Sequence, residues 1–152
     1  MLYTYNPETT TLVVSWISKL LGSRVSKIIE NWDEVTLSYS EDRYEYGTAT
    51  TGQVTRSKII NKLGTATIVA ATGSDCNSVL GDLVNSKSKI NLSFTEKAHI
   101  AAGPSLSDNA VMELNGASIT DPGDLSRAKA AGQRSWVLTG EIKEMKENTY
   151  TD

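Results

Sequence analysis

Alternation of apolar and polar residues at a period of two constrains this chain more than any other feature. Val35, Leu37 and Tyr39 alternate with Thr36, Ser38 and Ser40, and Ile90, Leu92 and Phe94 alternate with Asn91, Ser93 and Thr95. Trp136, Leu138 and Ile142 share one side of a third run, with Gly140 between them. Successive side chains of a strand point to opposite faces, so each run makes a strand with one buried and one wet side. Segments 10–16, 24–30, 65–71 and 111–119 are further strand candidates, bounded by the turn signals Gly22, Asn31, Gly64, Gly73 and Asn115-Gly116. One segment changes period. Cys76, Val79, Leu80 and Leu83 stand at i, i+3, i+4 and i+7 behind the N-cap candidates Ser74 and Asp75. That spacing predicts a single amphipathic helix over 74–85.

The connecting segments are long in places. Residues 41–62 form a polar stretch rich in Tyr, Thr, Gly and charge, too long for a tight hairpin turn and read as a projecting loop. Residues 101–109 and 120–132 are read as further loops, the second carrying the turn-like Asp121-Pro122-Gly123-Asp124. A chain of 152 residues with 39% hydrophobic residues can bury one core of ordinary size. The expectation is a single domain over 1–152, mainly β: an antiparallel β-sandwich or barrel with one short helix and a long projecting loop.

The residues that could carry chemistry are sparse. Fifteen Lys plus Arg stand against 18 Asp plus Glu, so the overall field does not favour tight nucleic-acid binding. Cys76 is the single cysteine, which excludes an intramolecular disulfide and a zinc cluster and suits folding in a reducing cytoplasm. The longest apolar stretch, 12–21, is interrupted by Lys19 and is shorter than the ~20 residues a membrane helix needs. Neither a leader nor membrane insertion is expected. His99 stands alone, placed just after a strand ending near Glu96, without a nucleophile or an orienting partner. Glu41, Asp42 and Glu45 could in principle serve as paired carboxylates, but they read as a solvated acidic segment. Gly47 to Gly52 lacks the lysine and following helix of a phosphate-binding loop, and Asn91-Leu92-Ser93 is a chance glycosylation match inside a strand. Arg56, Lys58 and Lys62 have no stacking aromatics among them. No cofactor, no metal and no enzymatic activity are expected.

Thr4-Tyr5-Asn6-Pro7-Glu8 is followed by Thr11-Leu12-Val13-Val14, and Asp33-Glu34-Val35-Thr36-Leu37 leads to Tyr44, Tyr46 and Gly47. Gly52-Gln53-Val54-Thr55-Arg56, Gly64-Thr65-Ala66-Thr67-Ile68 and the helix bearing Asn77 and Leu80 come next. This order of segments resembles the tail tube proteins of contractile-tailed bacteriophages. The resemblance covers residues 4–100 closely and the remainder loosely, with departures at 17–28 and 101–132. It implies a subunit of hexameric rings stacked into a hollow tube, an architecture shared with type VI secretion tubes, through which DNA leaves the capsid. It implies as partners further copies of the chain, the tail sheath, the baseplate hub and the tail terminator, in a virion assembled in the host cytoplasm.

Two residue sets fit that expectation. Thr36, Ser38, Ser40, Asn91, Ser93 and Thr95 give the strands an uncharged polar face, which suits a lumen that passes DNA without holding it, since each Lys or Arg on phosphate adds affinity. Glu41, Asp42, Tyr44, Glu45, Tyr46, Arg56, Lys58 and Lys62 are candidates for contacts between rings, with acidic residues at one end of the 41–62 segment and basic residues at the other. A discrete carbohydrate- or partner-binding β-sandwich, or a virion decoration module, is the alternative, distinguished by remaining unassembled. A glycosidase or hydrolase using Glu41, Asp42 or Glu45 ranks third and requires measurable turnover.

Overall fold

The computed structural model describes residues 10–18, 22–58, 61–99 and 106–145, the side chains at 97–99 and 106–110 excepted. The Thr4 to Glu8 motif and residues 101–105 lie outside this set. The strands are β1 (Thr10–Ile17), β2 (Arg24–Ile29), β3 (Glu34–Tyr39), β4 (Tyr44–Thr48), β5 (Val54–Lys58), β6 (Leu63–Ala71), β7 (Ile90–His99), β8 (Leu106–Asp121) and β9 (Gln133–Met145), and the helix α1 (Asp75–Ser86) lies between β6 and β7. Seven strands form one antiparallel sheet in the order β2-β1-β7-β8-β9-β6-β3, and β4 and β5 pair separately.

The period-two runs set the register. Leu12 faces Phe94 and Ile29, and Val14 faces Leu92, which in turn faces Leu114. Leu114 faces Ile142; on the far strands Leu138 faces Ala66, and Ile68 stands between Trp136 and Val35. Every apolar residue of these rows falls on one side of the sheet, and most are completely buried. A slip of one residue would turn each row to the wrong face, so burial specifies the pairing.

Strand order and connection length together bend the sheet. β2 and β3 are its two edges with five strands between them, a separation of roughly 29 Å if the sheet were flat. Yet residues 30–33 alone join Ile29 to Glu34, a span of at most roughly 18 Å. The sheet therefore curls until its edges approach, and it stops short of a barrel because β2 and β3 share no ladder. The connection crosses the concave side, where Trp32 meets Phe94 edge to face with ring centroids 5.2 Å apart. Its Asn31 Nδ2 donates to Asp75 Oδ1 at 3.0 Å, and Asp33 accepts from Gln133 Nε2 at 2.9 Å.

The helix completes this second layer. Cys76, Val79, Leu80 and Leu83 are its buried residues, the four that the 3.6-residue spacing selected. Trp136 Nε1 donates to Asn77 Oδ1 at 2.8 Å, and Asn77 Nδ2 donates to the Ala71 carbonyl at 2.9 Å, fixing the first turn to β9 and to the end of β6. Close approach elsewhere depends on facing glycines. Gly64 pairs with Gly140, and a Cβ on Gly64 would overlap Ile142 and come within 2.7 Å of the Ser38 carbonyl. Ile142 is buried in the space that Gly64 leaves, and Gly140 lies against Asn115 and Ala117.

The expectation of a mainly β, antiparallel fold with one helix is met, as a curled open sheet covered on one side and not as a closed barrel. Two sequence readings are corrected. Segment 41–62 is not an irregular loop, because β4 and β5 zip it into a hairpin. Strand β7 runs through His99, and β8 already begins at Leu106, so the segment read as a loop over 101–109 is strand at its C-terminal end.

Candidate functional site

The convex side of the sheet collects the polar partners of the alternating runs. Thr36, Ser38, Asn91, Ser93 and Thr95 all lie on it, with Ser40 just beyond the end of β3. The ladders carry this character across the middle strands, where Ser38 faces Thr65, Thr65 faces Thr139 and Thr139 faces Ser118. The hydroxyls are joined to one another. Ser38 Oγ and Thr65 Oγ1 are 3.1 Å apart, as are Thr120 Oγ1 and Thr139 Oγ1. Others bond to backbone: Ser40 Oγ donates to the Leu63 carbonyl at 2.9 Å, and Asn91 Oδ1 accepts from Gly116 N–H at 3.0 Å. Such bonds occupy part of the hydrogen-bonding capacity and hold the side chains in fixed rotamers. Glu113 and Lys143 bring opposite charges to this side, 4.0 Å apart, and Arg24, Glu34 and Glu141 stand on it as well, so cations are few but charge is not absent. Sequence reading missed Thr65, Thr67, Ser118, Thr120 and Thr139. The alternation in Gly64-Thr65-Ala66-Thr67-Ile68 was the available signal, but only the ladder shows that it continues the face of Thr36 and Ser38.

The β4–β5 hairpin is the second feature, and every residue of both strands is exposed. Pairing of Tyr44 with Lys58, Tyr46 with Arg56 and Thr48 with Val54 gathers aromatic, cationic and apolar groups on one face. Glu45, Gly47, Thr55 and Ser57 occupy the other. The Arg56 guanidinium lies 4.5 Å from the Tyr44 ring centroid, and Arg43 lies 4.6 Å from that of Tyr39 while donating to its hydroxyl at 2.7 Å. At the tip, Gly52 takes φ of 85°, which a side chain would resist. The inferred separation of charge along 41–62 is therefore not a separation in space. The hairpin brings the acidic start, Glu41, Asp42 and Glu45, beside the basic end, Arg56, Lys58 and Lys62, at a common stem, and the division that remains is between its two faces.

A groove of about 680 Å³ lies at the seam formed by the start of β1, the end of β2 and the 30–33 connection, lined by Thr10, Thr11, Ile28, Ile29, Glu30, Trp32 and Asp33. Its lining mixes the apolar Ile28 and Trp32 with two hydroxyls and two carboxylates. Cys76 lies beneath the helix, fully buried, and burial, then the charges of Asp75 and Asp33, push its thiol up to about 12. A thiol held neutral in this way is a packing residue. Among the described residues, no three His, Cys, Asp or Glu side chains gather into a metal-binding group.

A sheet with a hydroxyl-rich face and a projecting, exposed hairpin is the geometry that the family comparison bears on. The model of the bacteriophage PhiTE tail tube protein matches residues 17–146. The chain belongs to that tail tube family. No curated protein matches it. The matched region runs from the last residue of β1 past the end of β9, so it includes the hairpin, the helix and six of the seven sheet strands in full. Membership makes the chain a structural protein of a phage tail tube, a virion component that assembles with itself.

Proposed function

We propose that this tail tube subunit forms hexameric rings that stack into the inner tube of a contractile tail, the conduit for DNA ejection, with the convex hydroxyl face lining the lumen. The observation that carries the assignment of the face is its continuity. Ser and Thr side chains from β3, β6, β9 and β8 adjoin one another in register, where an ordinary solvent face would alternate Lys and Glu. A passage for DNA must offer hydrogen-bonding groups that wet the wall and few fixed cations that retain phosphate. The β4–β5 hairpin bridges successive rings in this reading, and the tail sheath, baseplate hub and tail terminator are its other partners, met during assembly in the host cytoplasm.

Labelling at Thr36, an exposed position on that face, tests the assignment. In tubes formed from the Thr36→Cys variant, a small maleimide should react fully while a maleimide on a bulky polymer should not, because only the former diffuses along the bore. Cys76 is buried and contributes no background. Equal reaction with both reagents places the face on the outside of the tube, and reaction with neither places it between subunits. Either result would overturn the lumen assignment.

A further inference from the structure

An isolated two-stranded hairpin is at best marginally stable in water, and every residue of both strands of this one is exposed. Tyr44, Tyr46 and Val54 nevertheless sit exposed on one of its faces, beside Arg56 and Lys58. We infer that this face docks into the seam groove, where β1, β2 and the 30–33 connection meet, of a second copy of the chain. The inference rests on the tube reading, and names the surface that receives the hairpin.

Complementarity selects the groove. Its lining offers Ile28, 56% exposed, and the half-buried ring of Trp32, apolar surfaces suited to the two tyrosines and Val54. Glu30 and Asp33 line it too, with Glu34 the next residue along the chain, and among the described residues no Lys or Arg does. Arg56 and Lys58 on the hairpin are the opposite charges at the edge of the opposite surface.

Placement explains why the partner is another copy. Asp33 immediately precedes the first residue of β3, and the hairpin follows its last, so the groove and the projection leave opposite ends of one strand, roughly 17 Å apart. A projection and a socket at separate places on one subunit make a heterologous contact, which propagates from copy to copy and does not close on a pair.

Charge exchange tests the inference. The parent chain should form tubes visible by negative-stain microscopy. Arg56→Glu with Lys58→Glu should abolish them at concentrations where the parent grows, and Glu30→Lys with Glu34→Lys should do the same. All four changes in one chain should restore growth, because hairpin and groove have traded sign. Circular dichroism of each variant should match the parent, and a variant that fails to fold is replaced by Tyr46→Ala or Ile28→Ser, each expected to slow growth at least tenfold. Growth of the hairpin variant like the parent, or loss in the four-fold variant as complete as in either pair, would overturn the docking. If the hairpin pair blocks growth and the groove pair does not, the hairpin docks elsewhere, and the inference fails while the tube reading stands. A parent chain that forms neither rings nor tubes counts against the tube reading itself.

Discussion

Cys76 shows how a single buried residue acquires a measurable consequence. Its thiol titrates near 9.0 when free of the fold and near 12 within it, because burial and then the charges of Asp75 and Asp33 oppose the thiolate. The unfolded chain therefore loses this proton first. Below about pH 9 the residue leaves stability unchanged, and between there and about pH 12 it makes stability fall as pH rises. Urea midpoints across that window should decline more steeply for the parent than for Cys76→Ala, and a thiol reagent should be inert toward the folded chain at neutral pH. Equal slopes would show that the thiol ionises freely. The sequence revealed the burial of Cys76 through its place in the stripe with Val79, Leu80 and Leu83. Other residue-scale features were hidden. Gly64 and Gly140 mark breaks in two apolar runs, and only the pairing of their strands shows that Gly64 admits Ile142 while Gly140 lets Asn115 and Ala117 of β8 approach.

The elements differ in legibility according to where their partners lie. Helix α1 was readable to within a residue because its apolar stripe has a period of its own and its partners, including Trp136, lie in the same chain. Leu80 is fully buried there, so Leu80→Ala should cost about 2 to 5 kcal/mol by leaving a cavity beneath the helix. The urea midpoint should fall with the slope unchanged, and a cost under about 1 kcal/mol would mean that the helix is not fixed to the sheet. The hairpin was misread for the converse reason. Tyr44-Glu45-Tyr46-Gly47-Thr48 alternates, but no residue of it enters this subunit's core, so nothing in the chain distinguishes it from a polar loop. Under the proposed docking, a second copy supplies the surface that its aromatic face lacks. Strand β8 extended further than expected because edge-to-edge pairing with β7, through Ser107 opposite Ala98 and Asp108 opposite Lys97, recruits residues with no apolar pattern of their own.

At the scale of the whole molecule, curvature follows from a fact the sequence does not contain, the order of strands. Residues 30–33 look like an ordinary turn until β2 and β3 prove to be opposite edges, and then their shortness bends the entire sheet. The bend gives the two sides of the sheet different roles. The concave side closes over the helix and Trp32, while the convex side carries the hydroxyl and amide rows, with apolar residues such as Val13, Val69 and Val137 and the charged Arg24, Glu34, Glu113, Glu141 and Lys143 among them. If that surface lines a bore, its scarcity of cations is a property of the tube, because every subunit of a ring contributes the same face. Thr36→Lys with Ser118→Lys changes two exposed positions on it and should leave folding within about 0.5 kcal/mol of the parent. Tubes should still form, since neither residue belongs to the hairpin or the seam groove. A short linear duplex should pass through parent tubes at a rate indifferent to salt, and should be retained by the lysine tubes at low ionic strength and released as salt rises, because each retained phosphate contact displaces counterions. Lysine tubes that pass the duplex as the parent does, at every salt concentration, would show that DNA never meets this face.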